Sequence, residues 1–92
     1  MNKEILQKAI DTYGDEMQIA VAIEEMSELT KALIKDKRHN YKILDDWQNT
    51  AEEIADVKIM VEQLEMIFDC KEEVDKQIEF KLNRLKERLE SL

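Results

Sequence analysis

EMQIAVAIEEMSELTKALIKDK, residues 16–37, sets Ile19, Ala22, Met26, Leu29 and Leu33 at steps of three and four. That spacing returns side chains to one side of a 3.6-residue turn and predicts a long amphipathic helix, ended by the polar run Asp36-Lys37-Arg38-His39-Asn40. Upstream, Ile5, Leu6, Ala9, Ile10 and Tyr13 predict a short first helix. Gly14 supplies its left-handed stop, and Asp15 followed by Gln18 at N3 reads as the cap of the next helix. Downstream, the stripe Trp47, Ile54, Val57, Val61, Leu64 and Phe68 predicts a third helix that starts at Asp45/Asp46 or at Thr50. Asp69 with Glu72 reads as a capping box. Val74, Ile78, Leu82, Leu85, Leu89 and Leu92 then alternate by four and three, the coiled-coil spacing of a last helix.

Composition excludes an all-β fold. One Gly and no Pro in 92 residues leave too few turn residues for a sheet of hairpins. The length suits one all-α domain over residues 1–92. With 22 acids against 14 bases the net charge is −8, which opposes nucleic acid and anionic lipid. No apolar run is long enough to span a membrane, the N-terminus is too polar for a secretory signal, and Cys70 has no disulfide partner, so a soluble, cytoplasmic protein is expected. Val21, Ala32, Ile59, Met60 and Ile67 fall off the main stripes, so these helices carry more apolar surface than one face holds. The expectation is a bundle completed by oligomerisation, as a homodimer or homotetramer.

Two acidic groups interrupt the central helices, Glu24-Glu25-Met26-Ser27-Glu28 and Glu52-Glu53-Ile54-Ala55-Asp56. A spacing of three places Glu25 beside Glu28, and Glu53 beside Asp56, one turn apart. In so acidic a chain such pairs also arise by chance on solvated faces, and Glu53 also fits as the N3 partner of a Thr50 capping box. The neighbours decide the reading. The row through Glu25 and Glu28 continues to Val21 and Ala32, and the row through Glu53 and Asp56 continues to Met60 and Ile67. Acids on such rows point inward, and four inward carboxylates need a cation. An all-oxygen donor set favours a hard divalent ion, Mg²⁺ with Mn²⁺ as substitute. A di-iron bundle would need Glu-x-x-His, and the one histidine, His39, stands in the loop without it.

The pattern Glu24-Glu25-x-x-Glu28 … Glu53-x-x-Asp56 resembles the EExxE…ExxD motif of the MazG-like all-α nucleoside triphosphate pyrophosphohydrolases. The likeness extends to Tyr13-Gly14, Gln18, residues 23–31, residues 52–57 and residues 81–85, nearly the whole chain. It implies a four-helix MazG-like fold and Mg²⁺-dependent hydrolysis of a nucleoside or deoxynucleoside triphosphate to the monophosphate and pyrophosphate. Carried over by position, Glu25, Glu28, Glu53 and Asp56 are the implied metal ligands. Glu24, beside Glu25, is the candidate to orient a ligand or take the proton of the attacking water. Lys81 is the carried-over phosphate contact, although many relatives place Asn where this chain has Leu85. Lys31, Lys58 and Arg84 are further basic candidates, and Trp47 or Tyr41 could stack on a base. The competing expectation is a non-enzymatic acidic interaction module built on the coiled-coil-like last helix.

Overall fold

A computed structural model describes the backbone of residues 1–38 and 44–92 and the side chains of residues 1–35 and 49–92. It is all-α: α1 (Lys3–Tyr13), α2 (Asp15–Arg38), α3 (Leu44–Ile67) and α4 (Lys71–Glu90). No helix among the described residues is long and apolar enough to cross a membrane.

The helix ends follow from a few backbone groups. Asn2 caps α1, its side-chain oxygen accepting from the Ile5 N–H at 3.2 Å. Gly14 ends α1 at φ +90°, ψ 154°, positive as expected but extended rather than αL; its N–H donates to the Ile10 carbonyl at 2.8 Å. Its own carbonyl accepts from the Gln18 N–H at 3.1 Å, so Gly14 takes the capping place expected of Asp15. Asp15 and Glu16 instead fill the first turn of α2, where negative charge complements the helix dipole. α3 begins at Leu44, ahead of either expected start, so Thr50 lies inside the helix and not at its N-cap.

Asp69 is not the cap of α4 either. That place is taken by Cys70, without a side-chain hydrogen bond. Asp69 sits at φ +49°, its N–H donating to Met66 O at 3.3 Å while Cys70 N–H donates to Glu65 O at 3.1 Å. These two bonds form the Schellman closure of α3, with Asp69 at the left-handed position that glycine fills best. A carboxylate there also faces the negative end of the α3 dipole. Asp69→Gly is therefore expected to raise stability by about 0.5–1 kcal/mol, read as an increased urea midpoint at constant slope.

α2 and α3 form the main packed pair, α1 lies across both, and among the described residues α4 packs on α3. The buried residues are Leu6, Ile10, Gln18, Ala22, Ala32, Met60 and Gln63. On α3 the innermost row is thus the one that runs through Glu53, Met60, Gln63 and Ile67, whereas Ile54, Val61 and Phe68 of the expected stripe are exposed. On α2 Ala22 is buried but Met26 and Leu33 of the stripe are exposed, while the off-stripe Ala32 is buried. Both long helices therefore carry a second apolar row that faces outward in the single chain.

α4 buries no residue, and Ile78, Leu82, Leu85 and Leu89 are each about half exposed or more. The cost of this arrangement is visible in the surface. The chain exposes 7538 Å², against about 5,600 Å² for a compact monomer of this mass. Its radius of gyration is 16.3 Å, against about 12 Å for a compact chain of this length.

Candidate metal centre

Glu25 of α2 and Glu53 and Asp56 of α3 meet across the main packing seam. One oxygen from each lies within 4.8 Å of the others. Glu25 and Glu53 are half-buried and Asp56 is exposed. A cleft of about 110 Å³ opens beside them, lined by Val21, Glu25, Asp56, Ile59 and Met60. That volume suits an ion with a few waters at roughly 30 Å³ each.

Two features of the cluster bear on its charge. Glu53 Oε2 is buried and has no hydrogen-bond partner. Partial desolvation is the first cause that pushes the Glu25 carboxyl above its ordinary pKa; the negative charges of Asp56 and Glu53, a hydrogen bond shared with Asp56, and the charge of Glu24 add to it. A buried oxygen with no hydrogen-bond partner, beside a carboxyl whose pKa is raised, is a donor set that a hard divalent cation would fit: it would satisfy the orphaned lone pairs and remove the repulsion together.

Glu25 has a pH consequence in the metal-free protein. Its folded pKa lies above the unfolded one, so the folded chain holds more protons in that window. Stability must then fall as pH rises through it. Without divalent ions the melting temperature is expected to rise as pH drops through the raised Glu25 pKa towards the ordinary carboxylate range. Glu25→Gln should flatten that part of the curve, and an identical slope in this variant would contradict the assignment.

The structure brings three of the four expected ligands together and leaves the fourth aside. Glu28 is exposed and pairs with Lys31 at 3.4 Å. Lys31 thus neutralises an acid one turn away. Glu24 is exposed on α2, and Lys58 is exposed on α3. Lys81 and Arg84 are exposed on α4, with the Arg84 guanidinium 5.8 Å from the Phe80 ring centre. Among the described residues α4 makes no contact with α2, so in the single chain these two cations stand apart from Glu25. His39, Tyr41 and the Trp47 side chain lie outside the described residues.

One feature of the seam was not legible as such in the sequence. Gln18 Nε2 donates to Gln63 Oε1 at 2.6 Å, and both side chains are buried. Gln18 reads locally as an N3 residue, and its inward role shows only in the row it shares with Ala22 and Glu25. Gln63 similarly lies seven residues beyond Asp56 on an otherwise apolar row. Compared with family models, curated proteins and solved structures, the chain matches none.

Proposed function

We propose that this protein is a Mg²⁺-dependent nucleotide pyrophosphohydrolase that cleaves a nucleoside or deoxynucleoside triphosphate between the α- and β-phosphates, and that it acts as a homo-oligomer. The observation that carries the reading is the convergence of Glu25, Glu53 and Asp56 from two helices around an unsatisfied, buried Glu53 oxygen. These are three of the four positions that the sequence resemblance marks as ligands. When bound, the ion supplies charge neutralisation for the triphosphate and makes water a better nucleophile at neutral pH.

The remaining steps belong to the chain's own groups. Glu25, Glu53 and Asp56 hold the ion. Glu28 joins them by leaving Lys31, a surface pair worth about 0–1 kcal/mol, which frees Lys31 for a phosphate oxygen. Glu24, exposed and about 100° round the helix from Glu25, takes the proton of the attacking water. Lys58, Lys81 and Arg84 offer further charge to the leaving pyrophosphate, and Trp47 offers a face to the base.

The exposed apolar surface supports the oligomeric part of this reading. About 2,000 Å² of surface beyond that of a compact monomer exceeds the roughly 800 Å² per partner of an ordinary stable interface. A second copy covers the α4 stripe in this account. Sedimentation equilibrium is expected to show a dimer or tetramer for the native chain, and Leu85→Glu to shift it towards monomer by a hundredfold or so in dissociation constant, about 2.7 kcal/mol.

The α4 stripe is also what favours the second reading, a non-enzymatic interaction module. Incubation with a panel of canonical, deoxy and modified triphosphates and Mg²⁺ separates the two. Pyrophosphate and monophosphate appearing in equal amounts support the enzyme. Nucleotide binding without product points to a chain that holds the substrate class and does not turn it over, and neither binding nor product leaves the interaction module.

A further inference from the structure

The buried glutamine pair and the acid cluster share one geometric frame. Gln18 stands opposite Gln63, and Glu25 meets Asp56. From the first pair to the second the α2 number rises by seven while the α3 number falls by seven, so the helices run antiparallel and both pairs lie on the same seam, two turns apart. Val21 and Met60 come between them in the cleft wall.

The apolar residues of this seam can also meet one another in a second register. Sliding α3 by one turn would set Val21 against Leu64, Glu25 against Met60 and Glu28 against Val57. That arrangement separates carboxylates that repel each other when no ion is present, setting Asp56 against Leu29 and Glu53 against Ala32. What it cannot accommodate is the amides: Gln18 would face Ile67 and Gln63 would face Ala22, leaving buried donors and acceptors unpaired. Polar pairs inside helical seams select register in this way.

We propose that the Gln18–Gln63 hydrogen bond is a register lock, a pair of positioning residues that holds Glu25 opposite Asp56 and Glu53 against their mutual repulsion. Its functional half, the effect on the metal centre, rests on the metal reading of those acids; its structural half does not. The lock keeps the donor set assembled before the ion arrives, so less binding energy goes into rearranging α2 against α3.

The test compares the native pair with Gln18→Leu/Gln63→Leu, which removes both amides together and leaves no orphan, and with Gln18→Met/Gln63→Met should branched side chains disturb the packing. Spin labels are placed at Glu16→Cys and Glu52→Cys, both exposed, in a Cys70→Ser background. Three quantities are read: the label-to-label distance without metal, Mn²⁺ affinity by titration of its free EPR signal, and melting temperature. Loss of the lock is expected to lengthen the distance by about 5 Å, one helical turn, in a substantial fraction of molecules. Mn²⁺ affinity should fall about tenfold, equivalent to about 1.4 kcal/mol, while the melting temperature holds or rises. An unchanged distance overturns the proposal whatever the affinity does. A lengthened distance in a protein whose native form never binds Mn²⁺ keeps the lock and ends the metal reading instead. A lengthened distance with native Mn²⁺ affinity overturns the positioning role.

Discussion

Asp56→Ala is expected to reduce pyrophosphate release by a hundredfold or more, the scale on which a single preorganised electrostatic group contributes to a transition state. Asp56 is exposed, holds none of the core, and meets Glu25 at the open side of the cluster. Its removal leaves the fold nearly untouched, and it relieves one of the charges that raise the Glu25 pKa. The metal-free variant should therefore melt no lower than the native chain. The loss should appear as a lower kcat together with a higher Mg²⁺ requirement, because the ion loses one of the carboxylates that hold it. Glu52→Ala is the matched control. It removes an exposed acid from the same turn of α3, four positions away, and should leave activity within about twofold. Equal loss in both variants would mean that net charge matters and position does not, and full activity in Asp56→Ala would remove the site.

Saturating Mn²⁺ or Mg²⁺ should raise the melting temperature by on the order of 10 °C. An ion that binds the folded chain alone stabilises it by about 2.7 kcal/mol at a concentration a hundred times its Kd. A domain of this size gains about 4–8 °C per kcal/mol, so the shift is large on the scale of ordinary substitutions. The unfolded chain also carries its acids, but scattered, and binds the ion weakly. Glu53→Gln separates two contributions. It gives the orphaned oxygen a neutral amide and removes repulsion, so the metal-free melting temperature should rise, while the ion-induced increment should shrink. An increment that survives intact in Glu53→Gln would place the bound ion elsewhere on this acidic surface.

The helices were legible because their stripes are long, and the interior was not, because two rows on each central helix satisfy the same periodicity. Residues such as Met26 and Leu33 form as good a stripe as Ala22 and Ala32, and only packing chooses the small side chains that let α2 and α3 approach. Once that choice is made, Glu25 and Glu53 follow it inward, which their neighbours Val21 and Met60 foretold. Glu28 shares Glu25's helix face by count, yet Lys31 lies one turn further on and offers a charged partner in solvent. Capping by Asp69 failed for a different reason. The same Asp suits a capping box and an αL turn, and the closing bonds from Asp69 and Cys70 to Met66 and Glu65 favour the turn. The Gln18–Gln63 pair is a long-range fact that no local pattern announces.

Anomalous diffraction from crystals grown with Mn²⁺ tests most directly whether the two helices jointly hold an ion. The expected result is one strong peak on the α2/α3 seam, with oxygens of Glu25, Glu53 and Asp56 at about 2.1–2.3 Å from it. A map with no peak among those three residues, their carboxylates turned separately into solvent, would contradict the account.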